Sequence, residues 1–288
     1  MTKATTLASF AHSFTKTNIM KTAAIFLVFA FTAVSSVALG KYIDTTNYYT
    51  SFDSTKIYYE VTGKGYPVIL VHGFIMTGEG WKKTEVYKEL QNAGYKVITM
   101  DMRGNGRSGK PHTAEAYAND AEAKDIMGLA NFLGIHKYNV IGYSRGSIIT
   151  ARLLVSDKRI NKAVMGGMGT DFTNPEWPRR KMFYRALSGD TVKELEGMVK
   201  NVQKAGLDQQ ALAYLQKEQP STPKETLSKV KRPILVICGD KDTDNGNARE
   251  LADLFPNGHF AQVPGDHGAA LGTKEFADEV IKFFKNLY

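Results

Sequence analysis

The sequence predicts an α/β fold: a mostly parallel, eight-stranded sheet with helices on both faces. From about Tyr42 onward, short runs of strand-forming residues alternate with stretches of helical periodicity, an alternation that is typical of a parallel sheet. The runs VILV at 68–71 and ILVI at 234–237 are apolar at every position. Such runs indicate strands that are covered on both faces, because a strand with one wet face would alternate apolar and polar residues.

The first two strands are predicted to form an antiparallel hairpin at one edge of the sheet. Residues 48–52 and 56–61 are strand-like, and the intervening Asp53-Ser54-Thr55 favours a turn. Six further runs follow at intervals along the chain, and we predict them as the remaining strands: 67–74, 95–104, 138–144, 162–169, 233–240 and 259–265.

Helical patterns occupy the intervals between these strands. In the first, Val86 and Leu90 are four residues apart, and in the last, Phe276, Val280 and Phe283 follow at spacings that place them on one helix face. We predict that these stripes pack on the sheet. The predicted helices cover residues 81–93, 119–133, 145–156, 247–255 and 273–287.

One interval is too long for an ordinary connection. About sixty residues separate the strand that ends near Gly169 from the strand that begins at Pro233, whereas most connections in compact domains have about 4–6 residues. Helical patterns occur around 176–187, 191–204 and 208–217. We interpret residues 170–231 as a small helical cap, with a helical crossover that has no lid role as the alternative.

The N-terminal residues are typical of a signal peptide. From Met20 a lysine precedes an apolar run at 23–33, and small residues follow. We predict that residues 1–40 are a signal peptide, with Met20 as an alternative start. Cleavage is expected after Ala38 or Gly40, where the small side chains meet the requirement of signal peptidase.

This interpretation divides the chain into residues 1–40 and a mature domain of residues 41–288. It predicts a secreted or periplasmic protein with no membrane span after cleavage. The alternative is an uncleaved segment that anchors the protein in a membrane, since the apolar run approaches the length of about 20 residues that spans a bilayer.

Composition excludes some classes of partner. The chain has a net charge of +8, but three of its lysines lie within the first forty residues and the others form no basic run. We therefore expect a solvated basic surface and no nucleic-acid partner. Cys238 is the single cysteine, so an intramolecular disulfide is excluded.

The strongest chemical signal is the pentapeptide GYSRG at 142–146, a G-x-S-x-G pattern between a predicted strand and a predicted helix. A chain that turns from strand to helix within one residue strains that residue, and flanking glycines give it room. Ser144 would project from the sheet edge, with the backbone N–H of Arg145 facing a developing oxyanion. The pattern differs from both the P-loop and the dinucleotide-binding motifs, which argues against a phosphate loop.

Together with three further motifs, this pentapeptide resembles the nucleophile elbow of the α/β-hydrolase superfamily. The further motifs are HGF at 72–74, DMRGNGRS at 101–108, and the pair GDKD at 239–242 and PGDHG at 264–268. The resemblance covers nearly everything from about residue 45 to the end. It implies that the backbone N–H of Phe74 is the second oxyanion-hole donor, that His72 is structural and that the 101–108 turn is scaffold.

The resemblance also implies a catalytic triad in the chain order serine, aspartate, histidine: Ser144, Asp242 and His267. The position of His267 supports this, because it is the histidine on a glycine-rich loop past the end of a strand. The family spacing from the glycine at 239 favours Asp242 as the acid. Asp240 and Asp171 remain alternatives.

The side chain of Arg145 departs from the aliphatic residue that often follows the serine in this family. Two interpretations remain open: the cation favours an anionic substrate, or it pairs with a carboxylate of the cap.

These motifs predict a serine hydrolase that acts on small carboxylic esters or related acyl compounds through an acyl-enzyme. No metal or organic cofactor is expected, and the expected partner is a small-molecule, ester-like substrate. The alternatives are a carbon–carbon bond hydrolase or an acyltransferase on the same fold, or a ligand-binding protein of this fold without catalysis.

Overall fold

The computed structural model describes residues 47–287, and these belong to one compact unit, Thr46–Tyr288. The predicted signal peptide and both predicted cleavage positions lie outside the described residues. Within the described part of the chain, no helix combines the length and apolar character that a membrane crossing requires.

The described residues contain an eight-stranded sheet with the order β1-β2-β4-β3-β5-β6-β7-β8. The pairs β1–β2 and β2–β4 are antiparallel, and the other pairs are parallel. The predicted edge hairpin and mostly parallel sheet are therefore confirmed. The strands are β1 (Tyr48–Thr50), β2 (Lys56–Thr62), β3 (Pro67–Val71), β4 (Lys96–Met100), β5 (Tyr138–Tyr143), β6 (Ile160–Gly166), β7 (Ile234–Gly239) and β8 (Gly258–Val263).

Helices cover both faces of this sheet, as the sequence predicts. Successive residues of a strand point to opposite faces, so the apolar run of β3 contributes to two separate cores. Outside the interval between β6 and β7, the helices are α1 (Gly78–Trp81), α2 (Glu85–Asn92), α3 (Ala121–Phe132), α4 (Arg145–Ser156), α9 (Ala248–Asp253) and α10 (Lys274–Phe284). Helices α3, α4 and α9 pack on one face, and α2 and α10 on the other.

The predicted helix stripes face these cores. Val86 and Leu90 of α2 are fully buried, as are Phe276 and Val280 of α10. The two helices also begin in the same way: a threonine before the first turn accepts a hydrogen bond from a backbone N–H of that turn. Such a cap satisfies one of the donors that a helix start leaves open.

The interval between β6 and β7 contains α5 (Pro178–Leu187), α6 (Glu196–Lys204), α7 (Gln209–Lys217) and α8 (Lys224–Leu227). The three predicted helical pieces are present; α6 begins later than predicted because residues 193–195 form a 3-10 turn. The single-turn α8 is absent from the prediction, since four residues are too short to show helical periodicity. We call residues 170–231 the insertion. Its helices share a small core of their own, which includes Leu187, Val202 and Leu212.

The parallel strands bring the loops with chemical motifs to one edge. Strands β3, β5, β7 and β8 run in the same direction, so their carboxyl ends and the loops that follow them meet there. The loops after β3, β5, β7 and β8 carry the predicted oxyanion donor, nucleophile, acid and base, respectively.

Candidate active site

The nucleophile elbow has the strained geometry that its sequence predicts. Only Ser144 separates β5 from α4, and its backbone has φ 55° and ψ −124°, in a region that residues other than glycine rarely adopt. A Cβ on Gly142 would lie 2.3 Å from the carbonyl oxygen of Gly146, and a Cβ on Gly146 would lie 2.1 Å from that of Val71. Any side chain at either flank would therefore collide with backbone, so both glycines are required for this turn.

The structure brings the three predicted triad residues into one chain of hydrogen bonds. The Ser144 hydroxyl lies 2.9 Å from Nε2 of His267, and Nδ1 of His267 lies 2.8 Å from Oδ2 of Asp242. The Asp242 side chain is 3% exposed, so water hardly competes for its oxygens. With Nδ1–H donating to the carboxylate, Nε2 is free to accept the proton of the serine.

Electrostatics keeps Asp242 in the ionised form that this arrangement needs. Burial by itself raises the pKa of Asp242, but the hydrogen bond from His267 and its electrostatic interaction with the carboxylate outweigh burial, and the net pKa lies below the ordinary value. The backbone N–H of Asp244 also donates to Oδ1 at 3.4 Å. A carboxylate that stays charged can fix the imidazole tautomer and stabilise an imidazolium.

The two alternative acids occupy other positions. Asp240 is exposed, and its Oδ1 accepts the backbone N–H of Gly265 at 2.8 Å. Asp171 lies against Gly246, where a Cβ would approach its Oδ1 to 2.3 Å. Within residues 47–287, neither carboxylate makes a hydrogen bond to His267. The geometry therefore favours Asp242.

Both predicted oxyanion donors lie at the serine. A Cβ on Gly73 would be 3.2 Å from the Cβ of Ser144, so the turn that carries Phe74 passes directly beside the nucleophile. Phe74 and Arg145 line the same cleft as Ser144. Arg145 is the first residue of α4, so its N–H has no acceptor within the helix and lies at the positive end of the helix dipole.

His72 has the scaffold role that the sequence analysis assigns to it. It is 3% exposed; Nδ1 donates to the carbonyl of Gly73 at 2.8 Å, and Nε2 accepts the N–H of Met102 at 2.9 Å. Burial lowers the pKa of His72, which keeps the imidazole neutral. Because both ring nitrogens are engaged, His72 holds the loops after β3 and β4 together and leaves no nitrogen for chemistry.

The 101–108 turn is also scaffold. The carboxylate of Asp101 accepts the backbone N–H groups of Gly78 and Arg107, each at 2.8 Å. Arg103 is fully buried and pairs with Asp125 at 2.6 Å. These contacts fix the loop that follows β4.

The side chain of Arg145 corrects both interpretations of the sequence analysis. Its guanidinium makes two hydrogen bonds to the carboxylate of Glu122, at 2.6 and 2.5 Å, in a buried pair. Glu122 neutralises the charge, so Arg145 is no free cation for an anionic substrate. Glu122 belongs to α3, so the partner is no carboxylate of the insertion either; the insertion contributes only the carbonyl of Leu215, at 3.0 Å. Sequence spacing does not reveal a pair between residues 23 positions apart.

Two residues that the sequence analysis missed support the base. The hydroxyl of Tyr143 donates to the carbonyl of His267 at 2.6 Å, and its ring packs 5.5 Å from the imidazole. The side-chain nitrogen of Asn245 donates to the carbonyl of Gly167 at 3.2 Å and lies 3.4 Å from Nδ1 of His267. Tyr143 is the variable second residue of the G-x-S-x-G pattern, so no sequence signal marks this role.

A small cleft opens above the serine. Its volume is about 70 Å³, and its floor includes Phe74, Ser144 and His267. Residues of the insertion form another part of its wall: Trp177, Arg179, Arg180, Phe183, Gln216 and Gln219. The insertion therefore borders the site, whichever role it has in substrate access. No group of three or more potential ligands placed to hold a metal ion occurs between residues 47 and 287.

The fold and this site define a class of protein: an α/β sheet that presents a serine, imidazole and carboxylate at the carboxyl ends of its strands. Comparison with known proteins agrees. Residues 66–194 match the α/β hydrolase fold family. The chain is 27% identical to a non-heme haloperoxidase of Rhodococcus erythropolis over 258 residues, which cover 76% of this chain and 92% of the relative. It is 32% identical to a non-heme chloroperoxidase of Streptomyces lividans over 120 residues, 40% of this chain and 42% of the relative.

Solved structures give the same result for the fold. A bromoperoxidase from Bacillus anthracis superimposes with a TM-score of 0.65 at 26% identity, covering 80% of this chain and 96% of that one. An esterase from Exiguobacterium antarcticum superimposes with a TM-score of 0.69 at 19% identity, covering 83% and 99%. The chain has the fold of the α/β-hydrolase superfamily and is an enzyme of the hydrolase class.

Proposed function

We propose that this protein is a serine hydrolase that cleaves small carboxylic esters through an acyl-enzyme, with Ser144, His267 and Asp242 as its catalytic triad. The observation that carries the proposal is the continuous hydrogen-bonded chain from the Ser144 hydroxyl through the imidazole to the buried carboxylate, at 2.9 and 2.8 Å. A serine hydroxyl is a weak nucleophile by itself, and an adjacent base held by a carboxylate is the arrangement that activates it.

In the proposed mechanism, the Ser144 oxygen attacks the ester carbonyl while Nε2 of His267 takes the hydroxyl proton. The carbonyl oxygen becomes an oxyanion, which accepts hydrogen bonds from the backbone N–H groups of Phe74 and Arg145. The tetrahedral intermediate collapses as the imidazolium returns its proton to the leaving alcohol. Water, deprotonated by His267, then attacks the acyl-enzyme and releases the acid and the free serine.

The dimensions of the cleft support a small substrate. A volume of about 70 Å³ holds roughly five water-sized groups, at about 10–15 Å³ each. Among acyl groups without a charged end, we therefore expect acetyl to butyryl esters to react faster than longer ones, since a longer apolar chain would have to extend out of the cleft.

Two measurements test this function. A fluorophosphonate probe is expected to label the wild type and to leave Ser144→Ala unlabelled, and p-nitrophenyl esters of increasing acyl length are expected to show the highest kcat/KM at short chains. Circular dichroism of both proteins controls for folding. A folded wild-type protein that neither takes the label nor hydrolyses any ester of the series would contradict the proposal and favour a ligand-binding role.

A second candidate function is suggested by the relatives named as haloperoxidases. Hydrogen peroxide would replace water as the acceptor for the acyl group, so the acyl-enzyme would yield a peracid and the free serine. Peracid formation from acetate and peroxide, followed by bromide oxidation, is measured with a halogenation dye assay. The same Ser144→Ala variant is the control, because both acceptors need the acyl-enzyme.

We also propose that the protein is exported from the cytoplasm, on the basis of the apolar run and small residues in the first forty positions. Mass spectrometry of the mature protein tests this. A chain that begins near residue 39 or 41 supports cleavage, whereas a chain that retains residue 20 in the membrane fraction supports the anchor.

A further inference from the structure

Three polar side chains of the insertion line the cleft. Among residues 47–287, one of them has no carboxylate partner and the other two have no side-chain hydrogen bond. Arg180 lies on α5, Gln216 on α7, and Gln219 two residues past α7; all three line the cleft with Ser144. Both glutamines are 5% exposed. In the part of the chain that the structure describes, neither side-chain amide makes a hydrogen bond. Neither amide belongs to the fully buried polar atoms that lack a partner, so both reach the water of the cleft and are available to a ligand there.

The guanidinium of Arg180 is held by backbone alone. It donates to the carbonyls of Gln216 at 3.2 Å, Lys217 at 2.8 Å and Pro175 at 3.3 Å. Among residues 47–287, no carboxylate lies within salt-bridge distance of it. The neighbouring cations of the cleft differ in this respect, since Arg145 pairs with Glu122 and Arg179 pairs with Asp244 at 3.5 Å.

The carbonyls that hold Arg180 do not neutralise it. The carboxyl end of a helix such as α7 carries about half a negative charge, and Arg145 shares this helix end through the carbonyl of Leu215. Burial lowers the pKa of Arg180, and the charge of Arg145 lowers it further, while Glu218 and Glu176 act in the opposite direction. Because no carboxylate between residues 47 and 287 pairs with Arg180, its positive charge stays in the cleft, beside the amides of Gln216 and Gln219.

We propose that Arg180, with the amides of Gln216 and Gln219, binds a carboxylate of the substrate, so that the preferred substrates are small esters or lactones with a second, free carboxylate. A planar guanidinium binds a carboxylate through two parallel hydrogen bonds, and amide N–H groups satisfy its remaining lone pairs. The proposal rests on the proposed function, because it assumes that the scissile carbonyl lies at Ser144.

The first experiment compares two esters that differ only at the far end of the acyl chain: monomethyl glutarate and methyl valerate, in which an uncharged methyl group replaces the free carboxylate. The wild type is expected to prefer monomethyl glutarate in kcat/KM. In Arg180→Gln this preference falls about 10- to 100-fold, the usual value of a hydrogen bond to a charged group. Arg180→Lys keeps the positive charge but loses the two parallel N–H donors of the guanidinium, so it is expected to retain an intermediate preference.

The matched control is Arg185→Gln on the same helix. Arg185 is exposed and pairs with Asp190 at 2.8 Å, away from the cleft. It is expected to keep the wild-type preference. If Arg180 only ties α5 to α7, then Arg180→Gln would lower kcat/KM for both esters equally, and the carboxylate subsite would be overturned while the serine hydrolase function stands.

A second experiment does not depend on turnover. Glutarate binding to Ser144→Ala is measured by calorimetry and compared with binding to Ser144→Ala/Arg180→Gln. Weaker binding by about 10-fold or more in the double variant supports the subsite, even if the wild type hydrolyses neither ester and the proposed function fails. Equal binding, or no glutarate binding in Ser144→Ala, would overturn the subsite.

Discussion

Replacement of Asp242 by asparagine tests whether Asp242, and not Asp240 or Asp171, is the acid of the triad. In the proposed transition state the imidazole of His267 becomes an imidazolium 2.8 Å from the Asp242 carboxylate. Asparagine keeps the shape and removes the charge. Its amide also donates to Nδ1, which moves the ring proton to Nε2, where it blocks acceptance of the serine proton.

The size of the expected loss in kcat follows from the distance between the imidazolium and the carboxylate. Two unit charges 2.8 Å apart attract by about 6 kcal/mol at an effective dielectric constant of about 20, and by about 4 kcal/mol at 4 Å. The imidazole is 27% exposed, so water screens part of this attraction. Because each loss of about 1.4 kcal/mol in transition-state stabilisation lowers the rate tenfold, we expect kcat to fall about 1,000- to 10,000-fold in Asp242→Asn.

The assay is p-nitrophenyl acetate hydrolysis with the enzyme concentration fixed by fluorophosphonate titration. Asp240→Asn is the matched control, because Asp240 lies in the same loop and asparagine can still accept the N–H of Gly265. We expect Asp240→Asn to keep kcat within about threefold. The reasoning is wrong if Asp242→Asn retains a tenth of the wild-type rate, or if Asp240→Asn loses as much.

Three further predictions concern stability and are measured by urea unfolding. Gly146→Ala is expected to lower the free energy of unfolding by about 3 kcal/mol or more, because the new Cβ would lie 2.1 Å from a carbonyl oxygen of β3. The control is Gly197→Ala, at an open helix position, which is expected to raise the free energy of unfolding by up to about 1 kcal/mol. Equal effects of the two substitutions would refute the steric argument. Arg103→Met is expected to cost about 3–5 kcal/mol, since it leaves the buried carboxylate of Asp125 without its cation; an unchanged urea midpoint would contradict this. Burial raises the pKa of Asp157, but hydrogen bonds from a neighbouring guanidinium and tyrosine outweigh burial, so the net pKa is lowered. The ionised Asp157 therefore stabilises the folded protein above the ordinary carboxyl pKa, and this stabilisation is lost as pH falls through the lowered value. Asp157→Asn should therefore be less stable than the wild type at pH 7 and equally stable in acid. A stability difference that grows as the pH falls would contradict this prediction.

The fold was predictable because it depends on local patterns. Fully apolar strands such as β3 require cover on both faces, and the stripe at Phe276 and Val280 fits one face of a helix. Helix boundaries were less accurate where the chain forms 3-10 turns or single-turn helices, such as Lys224–Leu227. These elements are too short for periodicity to show, and packing decides them.

At the candidate site, sequence and tertiary structure supplied different parts. The motif at 142–146 marked the candidate nucleophile because its glycines follow from local backbone geometry. Three aspartates crowd residues 240–244, and the family spacing favoured Asp242 but left alternatives open; in the structure, Asp242 is the one whose carboxylate meets His267.

The sequence by itself determined the sheet, its helical cover, the strained serine and the imidazole that follows the last strand, because these depend on residue types at short spacing. Tertiary structure alone decided which charges are neutralised. It paired Arg145 with Glu122 of another helix and left Arg180 among backbone carbonyls. Charge pairing depends on distances between residues that are remote in sequence, and folding alone determines those distances.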